Sequence, residues 1–204
     1  MKHPESNAGY SKRFLERAKV LSESLGMESD RGCVLLGAEI LSNDLESLFR
    51  SYFRKDPQIV KKTINPLFKG FNPLATFAAR IDLAYSMGLI PRVIYRRLHL
   101  VRELRNRFAH TAGLLDFRDS KCKPLLDEIA GADKNPLENS EEAKQIVVGK
   151  QKLNKKEFAN RAAFMFAIAQ LSTIVEVLEE VLNAGCDIRG VVTAYEKNRT
   201  FEFD

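Results

Sequence analysis

An all-α chain, folded as a single-domain bundle of about five main helices, is what the sequence predicts, and three observations predict it. Apolar residues recur at spacings of three and four through almost every long segment, the period of an amphipathic helix. No Asn-Gly or Asp-Gly pair stands between alternating apolar runs, so the strongest short hairpin signal is missing. The chain has 204 residues, 45% of them hydrophobic and 29% charged, enough to bury a core without disulfides or metals.

Residues 1–9 read as a frayed tail. A first helix is expected from about Ser11 to Leu25, with Phe14, Ala18, Leu21 and Leu25 on one face and Gly26 to end it. A second runs from Asp30, a good N-cap residue, to about Arg54. Its early part is apolar nearly all round (Cys33 to Ile40), which predicts a central position. Asp56-Pro57 restarts the chain in a short helix to about Asn65. The stretch from Asn65-Pro66 to Asn72-Pro73 is a loop with an aromatic patch, Phe68 and Phe71. A helix from Pro73 or Leu74 to Met87 follows, ended by Gly88. Pro91 suits a first-turn position of the next helix, which runs to about His110, where Gly113 can terminate it. Residues 118–129 suit a short helix, and residues 131–153 an exposed loop or insertion. Lys155 to Asn183 is a long helix with Gly185 behind it. The domain is thus expected over residues 10–185, with a C-terminal tail at 186–204.

Composition narrows the function. Net charge is +5, from 32 basic and 27 acidic residues, which permits a nucleic-acid partner without demanding one. Cys33, Cys122 and Cys186 lie far apart and read as reduced core thiols, and three histidines are too few for a zinc site. The cluster Glu138, Glu141 and Glu142 has no histidine at ligand spacing and reads as a solvated loop. No cofactor or metal is expected. The N-terminus lacks an apolar signal core, and the stretch Ala162 to Val175 is broken by Gln170, Ser172 and Thr173, short of the ~20 apolar residues of a membrane span. A cytoplasmic protein without membrane contact is the expectation. Nucleophile-elbow, P-loop and dinucleotide fingerprints are missing.

One segment holds the charge. Residues 91–110, PRVIYRRLHLVRELRNRFAH, contain six arginines and one glutamate, a local balance equal to that of the whole chain. Ile94, Leu98, Val101 and Phe108 form a seam, and Arg105 is expected to interrupt it. A charge buried there needs a carboxylate, such as Glu39, Asp44 or Glu46 of the second helix, or a phosphate. Beside the seam runs a polar row, His99, Arg102, Asn106 and His110, stacked at helical spacing. A solvated face with His110 near the helix C-terminus is the plain alternative.

Arg105-Asn106-Arg107-Phe108-Ala109-His110 resembles the Arg-x4-His motif of the HEPN superfamily, small helical bundles that include many metal-independent endoribonucleases. A longer resemblance covers residues 30 to 115. Glu39, the step Phe53-Arg54-Lys55-Asp56, Asn65-Pro66-Leu67, Pro73-Leu74, the run RIDLAYSMGLI from Arg80 to Ile90 and the Arg-rich helix after it are similar to the mannitol operon repressor family. That family is named for transcriptional regulation, and the sequence shows no helix-turn-helix.

The HEPN resemblance implies a nuclease acting as a toxin, phage-defence effector or RNA-processing factor. His110 would be the acid–base group, Arg105 would stabilise the phosphorane, and Asn106 would orient His110 or donate to phosphate. Arg102, Arg107 and His99 would hold neighbouring phosphates. Glu39 would pair with Arg105 or His110 as a support. A homodimer would supply the second histidine, with RNA as substrate and an antitoxin or regulator protein as partner. The repressor resemblance implies instead a non-enzymatic regulator working through protein contacts, with the polar row occupied by intramolecular pairs. Direct DNA reading by the basic helix is the third reading.

Overall fold

The computed structural model describes residues 7–53, 55–111, 115–130 and 155–200, and every regular element among them is helical. Helix α1 (Asn7–Gly26) leads by a tight turn into α2 (Asp30–Tyr52). Two short α-turns, Pro57–Ile59 and Asn65–Leu67, flank a π-helical turn, Val60–Ile64. Then come α3 (Phe77–Ser86), α4 (Arg92–His110), α5 (Lys123–Ala130), α6 (Lys155–Asn183) and α7 (Ile188–Thr200).

Helices α2 and α6 make the central pair, with α1 against α6, α4 against α2, and α5 wedged between α4 and α6. Their close approach depends on Gly37, where a Cβ would stand 3.1 Å from the Phe164 ring and 3.2 Å from Ile168. The core runs from Leu41, Leu45 and Phe49 of α2 through Leu98 and Phe108 of α4 to Phe164 and Leu171 of α6. Asn160–Asn183 is long and apolar enough to cross a membrane by composition, beyond what the stretch to Val175 suggested. Its Phe164, Ile168, Leu171 and Val175 are core residues of the bundle.

Several boundaries differ from expectation, each for a local reason. The cap of α2 is Ser29, whose side chain accepts from the Gly32 N–H at 3.1 Å. Asp30 is thereby left free to accept from Arg161 at 2.9 Å and from the Phe117 N–H at 3.0 Å. Helix α3 starts at Phe77 because Thr76 caps it, while Leu74 bonds Leu67 through its N–H and Arg80 through its carbonyl. Helix α5 starts at Lys123 because Asp116 and Asp119 turn the preceding chain, accepting from the Arg118 and Lys121 N–H groups. Gly88 and Gly185, both at φ +70°, follow α3 and α6.

The expected C-terminal tail at 186–204 needs correction: α7 occupies Ile188–Thr200, with Asp187 accepting from the Arg189 N–H and Ile188 and Val192 buried. Residues 7–9 of the expected N-terminal tail already belong to α1. The loop expected at 131–153, with Glu138, Glu141 and Glu142, lies outside the described residues, as do Arg54 and Gly113. Cys33 and Cys122 are buried thiols, and Cys186 is exposed.

Two buried arginines tie the elements together. Arg161 of α6 donates to Asp30 and to the Leu25 and Glu28 carbonyls, gathering the end of α1 and the start of α2. Arg80 of α3 donates to the Leu74 carbonyl, to the Ser42 carbonyl and hydroxyl, and to Glu46 at 2.8 Å. Glu46 also holds Arg50, which reaches Asn65 at 2.6 Å and lies over the Phe68 ring.

A third network joins α1, α2 and α6. Asp44 accepts from Ser172 at 2.6 Å and from Arg17 at 3.1 Å. Burial pushes its carboxyl up to about 6, against the pull of Ser172 and Arg17, and Glu176 and Glu179 add to the rise. A carboxyl whose folded pKa exceeds its unfolded value favours the fold when protonated. That contribution is full below about pH 4 and is lost as pH rises through about 6. Asp44→Asn should therefore gain stability relative to the wild type between pH 4 and pH 7.5, by on the order of 2 kcal/mol. Urea titrations across that range check it, and parallel curves would refute it.

Candidate functional site

Helix α4 begins after Pro91 and ends at the Thr111 cap, whose N–H and hydroxyl both bond the Arg107 carbonyl. Arg31 donates to the Thr111 carbonyl at 2.7 Å, placing a cation at the negative end of the helix. The buried face is Ile94, Arg97, Leu98, Val101, Leu104 and Phe108. The seam therefore steps from Val101 to Leu104 to Phe108, at spacings of three and four, and Arg105 does not interrupt it. Arg105 is exposed, and its hydrogen-bond partner is the Asn106 carboxamide at 3.2 Å.

The acidic residues offered to Arg105 serve other bonds. Asp44 holds Arg17 and Ser172, and Glu46 holds Arg50 and Arg80. Glu39 is exposed and contributes to the field at Arg80. Among the described residues it pairs with neither Arg105 nor His110, contrary to the supporting role expected of it.

Three members of the polar row, His99, Arg102 and Asn106, help line a shallow groove of about 420 Å³, together with Tyr95, Arg96, Leu100, Glu103 and, from α5, Glu128. Within it, His99 bonds the Asp82 carboxylate at 2.9 Å and stands edge-on to Tyr95, which stacks on Tyr85 with ring centroids 4.4 Å apart. Partial burial and the Asp82 carboxylate push the Tyr95 hydroxyl pKa up. Among the described residues, the Arg102 Nε is shut away from solvent without a hydrogen-bond partner. Arg107 is committed to Glu103 and to the Lys121 carbonyl, both at 2.6 Å.

Of the residues singled out from sequence, the groove brings together His99, Arg102 and Asn106. It does not include Arg105, Arg107, His110 or Glu39. Five residues apart, Arg105 and His110 point about 140° apart around the helix axis. Sequence reasoning missed Asp82, Tyr85, Tyr95, Arg96 and Glu128. Tyr95 and Arg96 were legible as neighbours of the row at spacings of four and three, whereas Asp82 and Glu128 arrive from other helices.

Chemically the groove is mixed: two guanidiniums, one imidazole held by a carboxylate, a carboxamide, two carboxylates and half-buried aromatic and apolar surface. An all-α scaffold with such a surface on one helix is suited to contact with another molecule. The mannitol repressor family model matches residues 18–178, reaching well beyond the 30–115 stretch seen in the sequence. The chain belongs to the mannitol repressor family. It is 29% identical over 127 residues to the mannitol operon repressor of Escherichia coli K12, a match covering 62% of this chain and 58% of that relative's length. A possible transcriptional regulator, YggD, from Shigella flexneri 2a shares the fold, with a TM-score of 0.59 and 16% identity over 79% of this chain and 96% of that one. The E. coli MtlR in an X-ray structure of its complex with HPr matches with 23% identity and a TM-score of 0.49, over 89% of this chain and 99% of that one.

Proposed function

We propose that this chain is a non-enzymatic transcriptional regulator, a repressor of the kind its family is named for, and that it works through protein contacts made along the α4 groove. The observation that carries the reading is the groove's mixed charge. Glu103 and Glu128 line it beside Arg96 and Arg102, and Asp82 holds His99 at its edge. A nucleic-acid backbone would meet three carboxylates there, whereas a protein surface can match both signs. Helix α4 is packed by its buried face against α2, α3 and α5, which leaves its polar face to carry the contact. Membership of the mannitol repressor family supports the regulatory part.

The endoribonuclease reading keeps one observation in its favour: Arg105 and His110 are both exposed at the end of α4. Purified protein incubated with a mixed RNA pool in EDTA, and separately with the regulated promoter DNA at physiological salt, tests both alternatives. The regulator reading expects intact RNA and no sequence-specific DNA shift. Cleavage lost in His110→Ala would establish the nuclease instead, with a solution mass of twice the chain supporting a composite site. A specific, steeply salt-dependent shift would establish direct DNA reading.

A further inference from the structure

Phe68 and Phe71 sit three residues apart in one loop and have opposite fates. Phe68 is buried under the Arg50 and Arg80 guanidiniums, against Phe53. Phe71 is fully exposed at the loop's tip. The tip is held in place from several sides. Asn72 bonds back to the Lys69 carbonyl through its N–H at 3.2 Å and its carboxamide at 2.9 Å. Gly70, at φ +63°, makes the turn's corner. The Leu74 N–H bonds the Leu67 carbonyl at 2.9 Å and closes the base, and Ala75 bonds Asn72 at 3.0 Å. Burying Phe68 anchors the whole loop on the Arg80–Glu46–Arg50 network.

The segment itself carries one sign. From Pro57 to Ile81 the chain holds no aspartate or glutamate, and Lys61, Lys62 and Lys69 are exposed. A solvated aromatic on a fixed turn loses little conformational entropy when it enters a pocket, which is how single aromatic side chains dominate protein interfaces. One exposed ring is too few for a base-stacking platform, which uses successive aromatics. It is also too little apolar surface for stable membrane anchoring.

We propose that the Phe71 turn is a preformed docking knob that enters an apolar pocket with an acidic rim on a protein partner. The proposal rests on the protein-contact reading above and adds a second contact, carried by the Val60–Ile64 and 65–76 segment rather than by α4.

The test places the photo-crosslinking residue p-benzoylphenylalanine at position 71 of the full chain in host cells, and in a control at exposed Lys19. Cross-linked peptides are then identified by mass spectrometry. The expected result is adducts at 71 on one protein, where apolar side chains adjoin aspartate or glutamate. That protein, once purified, should bind the wild-type chain at least tenfold more tightly than Phe71→Ser. Lys69→Glu should also weaken it. Gly70→Ala should weaken it without removing the ring, because the added Cβ meets no atom within 4 Å yet must adopt φ +63°. Adducts on lipid, nucleic acid or a second copy of this chain overturn the proposal, as does labelling no stronger than at Lys19. So does a partner affinity that Phe71→Ser leaves unchanged. If Arg96→Glu abolishes repression while Phe71→Ser affects neither repression nor binding, the knob proposal fails and the α4 reading stands.

Discussion

Arg80→Ala should cost this protein on the order of 3 kcal/mol of folding stability, more than any surface substitution discussed above. The guanidinium is almost wholly buried and donates to four acceptors on two other parts of the chain. Removing it leaves the Leu74 and Ser42 carbonyls short of a donor and strips one of the two cations from Glu46. Arg50 remains on Glu46, which keeps the loss toward the lower end of what breaking a buried ion pair costs. For a chain of this length the change corresponds to a fall of roughly 6–12 °C in Tm. Arg80→Lys should recover only part of it, because one ammonium cannot serve Leu74, Ser42 and Glu46 in their different directions. Thermal unfolding followed by circular dichroism measures both variants, and a loss below about 1 kcal/mol for Arg80→Ala would mean the network is not a structural anchor.

The same network explains why the repressor resemblance was legible. Its residues are largely those that build one corner of the bundle. Arg80 reaches Glu46, Arg50 of the same cluster reaches Asn65, Phe53 stacks on Phe49 and lies tilted against Phe68, and Asp56 caps the Pro57 turn with two backbone N–H bonds. Such residues are constrained by several partners at once, so their identities and spacings stand out in one sequence. The long helices were legible for a simpler reason: their apolar stripes repeat with the helical period, and α6 spans Lys155–Asn183 as expected.

What the sequence concealed was settled between elements. Periodicity alone allows the α4 seam to pass through Leu104 or Arg105, and packing against α2, α3 and α5 buries Leu104 and leaves Arg105 exposed. Asp30 is a good cap residue by type, yet Arg161, far along the chain, claims its carboxylate and Ser29 caps instead. The candidate site was half legible: the row His99, Arg102 and Asn106 lies together, while Asp82 and Glu128, which change the groove's charge, come from α3 and α5. Helix α7 was missed because its short apolar set, Ile188 and Val192 among charged residues, reads weakly until Asp187 is seen capping it.

The second large effect concerns function. Arg96 is exposed on the groove and its reversal disturbs no buried contact, so Arg96→Glu should fold normally. With Glu103 and Glu128 already present, the reversal leaves the groove dominated by carboxylates, and a like-charge encounter across an interface costs several kcal/mol. Repression should fall at least tenfold, since about 1.4 kcal/mol already corresponds to a factor of ten. His110→Ala, outside the groove, should repress as the wild type does.

The most direct measurement is therefore a reporter fused to a promoter that the wild-type chain represses in the native host, read with wild type, Arg96→Glu and His110→Ala at matched protein levels. Repression retained by His110→Ala and lost by Arg96→Glu is the result expected of a regulator that acts through protein contact at the α4 groove. Repression lost by His110→Ala and kept by Arg96→Glu would contradict it and move the working site to the Arg105–His110 end of the helix.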